Sequence, residues 1–319
     1  MDIDIRITTP GGPAALEVTA SEVREPAAGE IRLRQQAIGV SFLDIYHRAG
    51  LYPLAAPGIP GVEGAGIVEA VGPGVEDLRV GERVVYAGAV GGYATTRCLP
   101  AWRAVRLPDD VPMEIAATSM LRGLTTHMLF HATCPVGAGS VLLVHAVAGG
   151  LGIILTRWAA RIGARVIGTA STPQKAAAAL ANGADHVIVG RDADIAAEVM
   201  RLTGGAGVDL VIDGIGGAML RTSLRCARPF GAVASIGWVA GGVPPVAIEE
   251  LGLASLSKPS VMAYSADPAR YVAAAETVIE AFRSGIVGDV GGRYPLGDAA
   301  DAHRALEGGQ TQGGLVLLP

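Results

Sequence analysis

The chain has 319 residues, half of them hydrophobic and 17% charged, with a formal net charge of −5. That length buries a substantial core in one large or two ordinary domains, and the composition excludes a disordered chain. The acidic balance offers no basic field to a nucleic acid or other polyanion.

The first residues, MDIDIRITTP, carry two acids and no apolar run of the signal-peptide kind, which points to a cytoplasmic protein. Up to about residue 115, DIRITT, EIRLRQQAIGV, EGAGIVEAVG, GERVVYAG and GGYATTRCLP are short runs separated by Gly and Pro. They predict a β-rich domain of the open-barrel or sandwich type. From Met113 the pattern changes. MEIAATSMLRGLTTHMLFHAT has helical spacing, and strand and helix then alternate. The predicted strands are SVLLVHA, ARVIGTA, DHVIVG, VDLVIDGIG and AVASIGW. Between them lie the predicted helices GLGIILTRWAARIG, TPQKAAAALANG, ADIAAEVMRLTG and MLRTSLRCARPFG. Such alternation predicts a doubly wound parallel sheet. A last helix, ARYVAAAETVIEAFRSGIV, and strand, GGLVLLP, are expected to fold back on the N-terminal domain.

No charged residue lies between Arg122 and Arg157, but Pro135, Gly137 and Gly139 and then Gly149-Gly150 interrupt the run. No piece reaches the ~20 apolar residues of a membrane span. Cys98, Cys134 and Cys226 are far apart and odd in number, so neither a disulfide framework nor a clustered metal site is expected.

The turn HAVAGGLG follows the first predicted parallel strand and opens a helix. A dinucleotide fingerprint G-x-G-x-x-G needs its second Gly for approach to the diphosphate and its third for helix packing. Those two positions are Gly149 and Gly152, Gly150 is additional, and Val147 replaces the first Gly. The helix N-terminus near Gly150 offers N–H groups and a partial positive charge to a diphosphate. Standing alone, so degenerate a motif reads equally as a tight corner in a core. The second strand ends GTAST, without the carboxylate that binds a ribose 2′-OH and would repel a 2′-phosphate.

AIGVSFLDIYHRAGLYPL, PGVEGAGIVEAVGPGVEDLRVGERVVYA, RGLTTHMLFH, VHAVAGGLG, YPLGDAADAHRALE and TQGGLVLLP resemble, in order, the zinc-independent quinone oxidoreductases of the medium-chain dehydrogenase/reductase superfamily. The resemblance implies a GroES-like catalytic domain over 1–118 and 266–319, a Rossmann domain over 119–265, NADPH in the cleft between them, and a homodimer. Zinc-dependent members have a ligand Cys where this chain has Ser41 and a ligand His where it has Val62, and neither Ser nor Val replaces those ligands. The four-cysteine structural lobe is also missing, so no metal is expected.

Lys175, one of only two lysines, falls at the family's 2′-phosphate position, with Ser171 and Arg191 as further contacts, which implies NADPH. A solvated charge early in a helix is the alternative reading of Lys175. Gly190 stands where close relatives have a Tyr beside the adenine. The cofactor set implied is Thr125, Ala148, Gly149, Gly150, Leu151, Gly152, Ser171, Lys175, Arg191, Gly237, Trp238 and Gly313. Gly314 replaces a Lys common among relatives. At the reacting end, Ser41, Asp44, Tyr46 and Tyr52 are implied near nicotinamide and substrate, with Tyr46 or Tyr52 donating to the developing quinol oxyanion. Asp44 reads alternatively as a local cap, Tyr52 as a packing aromatic, Trp238 as core, and His47 as a surface or packing residue.

Without metal a carbonyl lacks a Lewis acid, whereas a quinone is already a strong hydride acceptor. The expected function is therefore NADPH-dependent reduction of a quinone. The alternatives are reduction of an activated C=C, as by an enoyl or 2-alkenal reductase, and a non-catalytic NADPH-binding structural or regulatory protein.

Overall fold

The computed structural model describes residues 2–309 and 311–319. The chain divides into two compact units, one running through Leu124 and resuming at Met262, the other spanning Thr125–Val261.

The first unit is built on a seven-stranded, largely antiparallel sheet. Its centre is the long strand Glu30–Val40, which pairs antiparallel with Glu63–Val71, Thr96–Pro100 and Gly314–Leu318. Alternation sets its faces: Ile31 and Leu33 point into the core, while Arg32 and Arg34 face out and share the carboxylate of Glu69 at 2.9 Å each. The strand Gly314–Leu318 pairs in turn, in parallel, with Val290–Pro295. As expected, the C-terminal segment thus completes the N-terminal sheet. One core gathers Ile31, Leu33, Val68, Val84 and Leu99; another gathers Ile5, Ile38, Val40, Leu296, Leu315 and Leu317. The hairpin partner Glu17–Ala20 and the short helix Phe42–Arg48 had no counterpart in the sequence reading.

The second unit is a six-stranded sheet in which every pairing is parallel. In spatial order its strands are His186–Val189, Arg165–Ala170, Val141–Val144, Val208–Asp213, Ala227–Ser235 and Ser255–Ser257. Numbered within the sheet by chain order, they run 3-2-1-4-5-6. The order reverses between Val141–Val144 and Val208–Asp213, the switch point outside which such sheets bind ligands. Helices Gly150–Arg161, Pro173–Ala181, Ile195–Leu202 and Met219–Cys226 connect the strands. Leu143, Ile167, Val199, Val211, Leu220 and Val233 form the core against one face.

Three local expectations are corrected. The helix predicted over MLRTSLRCARPFG stops at Cys226, and the next strand begins at Ala227. Pro229 has no N–H and drives Arg228 toward extended backbone, so the helix cannot run on. That strand ends at Ser235 rather than at Trp238, leaving Gly237 and Trp238 just beyond the sheet edge. The helix starting at Met113 is α-helical to His127 and then widens into a π-turn over Met128–Thr133.

Candidate active site

In the first unit, Ser41, Asp44, Tyr46 and Tyr52 come together on the helix Phe42–Arg48 and the turn after it. Ser41 is the N-cap and Asp44 reaches back to it: the Ser41 N–H and Oγ donate to Asp44 Oδ2 at 2.8 and 3.2 Å. Asp44 is therefore a cap, yet its Oδ1, also buried, has no hydrogen-bond partner among the described residues. Tyr46 and Tyr52 meet edge to face with ring centroids 5.4 Å apart, and the turn is held by Tyr52 N–H donating to Tyr46 O at 3.1 Å. His47 is buried beside Tyr52, a packing residue rather than a surface one.

A buried polar chain that the sequence did not disclose backs this helix. The Tyr93 hydroxyl lies 3.3 Å from Asp44 Oδ2 and 2.9 Å from His303 Nε2, and Arg48 Nη1 lies 3.2 Å from His303 Nδ1. Arg48 also grips Glu307 through two bonds of 2.7 and 2.9 Å. Burial, and then the Arg48 charge, push the His303 pKa down to about 3, so the ring is neutral. Glu63, beside Val62, is fully buried; it accepts the Leu121 N–H at 2.9 Å and faces Arg122 at 3.3 Å. Burial raises the pKa of both Asp44 and Glu63 to about 7, the hydrogen bonds and Arg122 opposing it only in part. Partners 210 and 255 residues apart in sequence leave no local signal. Gly313 lies in this unit, just before the strand Gly314–Leu318, with φ of +73°.

In the second unit, Ala148–Gly152, Ser171, Lys175, Arg191, Gly237 and Trp238 all follow the carboxyl ends of strands of the parallel sheet. The turn at Ala148 leads to Gly149, the N-cap, and Gly150, Leu151 and Gly152 form the first turn of the helix Gly150–Arg161. A Cβ on Gly152 would lie 2.3 Å from Val147 O, so only glycine lets the helix close on the turn. The first N–H groups of any helix lack intrahelical partners and are available to an anion. The turn is tied to the neighbouring strand by Val147 N–H donating to Thr169 O at 3.1 Å.

Ser171 directly follows that strand, and Thr172 caps the helix Pro173–Ala181 by accepting the Lys175 N–H. This sets Lys175 in the helix's first turn. Gly190 N–H donates to Ala170 O at 3.0 Å, which brings Arg191 to the same edge as Ser171 and Lys175. Gly190 has φ of +109°, a backbone that a residue with a side chain would adopt only with strain. No carboxylate ends the second strand, so the donor set there fits a 2′-phosphate better than a bare 2′-hydroxyl. Beyond the switch point, Trp238 is half-buried, and the ammonium of Lys258, the other lysine, sits 4.6 Å from its ring centroid. Thr125 is half-buried on the helix Met113–His127. Among the described residues no three His, Cys, Asp or Glu side chains converge as metal ligands, and no helix is long and apolar enough to cross a membrane.

A GroES-like sheet unit and a 3-2-1-4-5-6 parallel sheet with a glycine turn at its switch point define an oxidoreductase of the medium-chain dehydrogenase/reductase class. Residues 27–109 match the alcohol dehydrogenase GroES-like domain and residues 150–279 the zinc-binding dehydrogenase domain. The chain is 40% identical to a 2-haloacrylate reductase from Burkholderia sp., over 97% of this chain and 96% of that protein. It is 38% identical to a quinone oxidoreductase of Pseudomonas aeruginosa, over 99% of each. The Escherichia coli quinone oxidoreductase, solved as a complex with NADPH, superposes with a TM-score of 0.95 at 37% identity, covering 99% of this chain and 100% of that one. The chain belongs to the quinone oxidoreductase family of that superfamily.

Proposed function

We propose that this protein is an NADPH-dependent reductase that reduces a quinone by hydride transfer without a metal. The observation that carries this reading is the carboxyl edge of the parallel sheet, where the second strand ends at Ala170 without a carboxylate and Ser171 and then Lys175, in the first turn of the next helix, follow it. Relatives named as quinone oxidoreductases, one of them solved with NADPH, support it.

When bound, NADPH supplies the hydride; the protein's part is to bind, orient and exclude water. Gly149, Gly150, Leu151 and Gly152, with Ala148 before them, would hold the diphosphate through backbone N–H groups, and Lys175, Arg191 and Ser171 the 2′-phosphate. Thr125, Gly237, Trp238 and Gly313 complete the proposed cofactor set. Ser41, Asp44, Tyr46 and Tyr52 would face the acceptor, where a tyrosine hydroxyl or Ser41 donates to the oxygen that gains charge. Ser41 and the buried, apolar Val62 at the two zinc-ligand positions support a metal-free mechanism.

The 40% identity to a 2-haloacrylate reductase supports a second reading, reduction of an activated C=C, by the same residues. We further propose a cytoplasmic homodimer. Phe230, Leu253 and Ile248 are 85%, 67% and 73% exposed, near the short edge strand Ser255–Ser257, and support such an interface.

The test is NADPH oxidation over a panel of benzoquinone, larger quinones, 2-haloacrylate and simple aldehydes, before and after exhaustive chelation. Quinone turnover that survives chelation is expected. Turnover confined to aldehydes and abolished by removing zinc would overturn the reading, and turnover confined to 2-haloacrylate would move it to the second.

A further inference from the structure

At the switch point a buried chain of hydrogen bonds runs beneath the glycine turn. Asp213, the last residue of its strand, is fully buried, and its Oδ1 accepts the N–H groups of Ile215 and Gly216 at 2.9 and 3.0 Å. Its Oδ2 accepts the hydroxyl of Ser223 at 2.8 Å, and Ser223 is fully buried too. A carboxylate only accepts, so Ser223 gives its proton to Asp213 and its oxygen is left to accept. The group 2.9 Å away is His145 Nε2, which must therefore carry the ring proton. The opposite nitrogen, Nδ1, is then an acceptor, and the Thr169 hydroxyl lies 3.2 Å from it. Thr169 Oγ1 in turn accepts the Ala146 N–H at 3.3 Å. Every direction in the chain follows from the carboxylate at its end.

Ala146 is where the turn begins. It has φ of +51°, the left-handed region that non-glycine residues reach only at a cost. Both of its backbone groups are held, the N–H by Thr169 and the carbonyl by Gly149 N–H at 2.8 Å. Residues 147–150 take their path from this one conformation.

We propose that His145 is a positioning residue for the cofactor-phosphate turn: held as the Nε2–H tautomer by Asp213 through Ser223, it fixes Thr169 and so the left-handed Ala146. This rests on the reading that the turn receives the NADPH diphosphate. His145 does not touch the cofactor; it sets the backbone that does. The charged and titratable group facing it is Asp213, reached through Ser223 on the helix Met219–Cys226, while Thr169 faces it from the neighbouring strand.

Two measurements test it. In the first, the unaltered protein and His145→Gln are titrated with NADPH, by the fluorescence of the reduced nicotinamide, and with adenosine 2′-monophosphate, by calorimetry. The second ligand keeps the 2′-phosphate but has no diphosphate. His145→Gln should weaken NADPH about tenfold, as the loss of one buried hydrogen bond allows, and leave the nucleoside phosphate unchanged. Unchanged NADPH affinity, or equal weakening of both ligands, would overturn the proposal. The second measurement, long-range 1H–15N correlation of the histidine rings, remains open if His145→Gln does not fold. His145 should show the Nε2–H tautomer in the unaltered protein. In Asp213→Asn the amide oxygen must stay on the Ile215 and Gly216 N–H groups, so the NH2 faces Ser223 and reverses the chain. The ring proton should then move to Nδ1. An Nδ1–H ring in the unaltered protein, or a ring indifferent to Asp213→Asn, would overturn the chain. An unaltered protein that binds no NADPH would overturn the functional reading and the positioning role with it, and the tautomer would show whether the chain itself stands.

Discussion

Lys175 and Asp44 show how differently two single residues can be read. The scarcity of lysine draws notice to Lys175, and the resemblance to the family, together with the missing carboxylate at the end of the second strand, is what proposes it for the 2′-phosphate. A charge-assisted hydrogen bond to phosphate contributes roughly 1.5–3 kcal/mol. Lys175→Ala should thus weaken NADPH binding about 10- to 100-fold while hardly changing NADH, and the ratio of the two Kd values checks it. Equal losses would remove Lys175 from the phosphate site. Asp44 was legible as a position but not as a chemical environment, because its partner Tyr93 and the Tyr93–His303 bond come from distant segments. Its carboxyl and that of Glu63 rise from ordinary values of 3.8 and 4.5 to about 7. The folded state therefore keeps protons that the unfolded chain loses above pH ~4, and by linkage this contribution to stability disappears as pH rises through about 7. Urea midpoints should fall from pH 5 to pH 8. Asp44→Asn, which cannot titrate, should flatten that slope, and a slope unchanged by the substitution would show that Asp44 does not carry it.

Among elements, the long and periodic ones were readable and the short ones were not. Alternation over Glu30–Gln36 followed by an apolar run discloses the strand Glu30–Val40, whereas the seven-residue helix Phe42–Arg48 has too few turns for a period to show. That helix exists because Ser41 and Asp44 cap it and its side chains pack, which are tertiary facts. The helix Met219–Cys226 ends earlier than its apolar spacing predicts because Pro229, which lacks an N–H, stops it. The loop from Val189 to Arg191 carries its own signature, since Gly190 has φ of +109° with open space around its Cα. Gly190→Ala should therefore destabilise the protein by about 1 kcal/mol or more through the backbone alone. A denaturation midpoint equal to that of the unaltered protein would mean the loop adopts an ordinary φ in solution.

For the whole molecule, the alternation of strand and helix between Val141 and Ser235 prescribes a parallel sheet, and the switch point follows from strand order. What the sequence could not disclose is which carboxyl-edge groups meet across it: Asp213, Ser223 and His145 are each unremarkable where they stand. The exposed apolar residues at Phe230, Ile248 and Leu253 were equally invisible, since an isolated hydrophobic residue says nothing about its exposure. If they join two copies, Phe230→Asp should convert the dimer to a monomer at micromolar concentration in sedimentation velocity. Aspartate tolerates the left-handed φ of +62° at that position, so the test probes the surface rather than the backbone. A native mass that does not change in Phe230→Asp would place the interface elsewhere.

The first unit draws its central strand's neighbour from the far end of the sequence: Leu315, Val316 and Leu317 pair with Val40, Gly39 and Ile38. On a ribosome, the roughly 275 residues between these partners take on the order of 14–55 s to translate. The Thr125–Val261 unit is contiguous and can complete its sheet within that interval. Ile38 and Val40, in contrast, wait with an unpaired strand edge, the kind of surface on which nascent chains associate. The nascent chain therefore carries that edge open to association until translation passes Leu317.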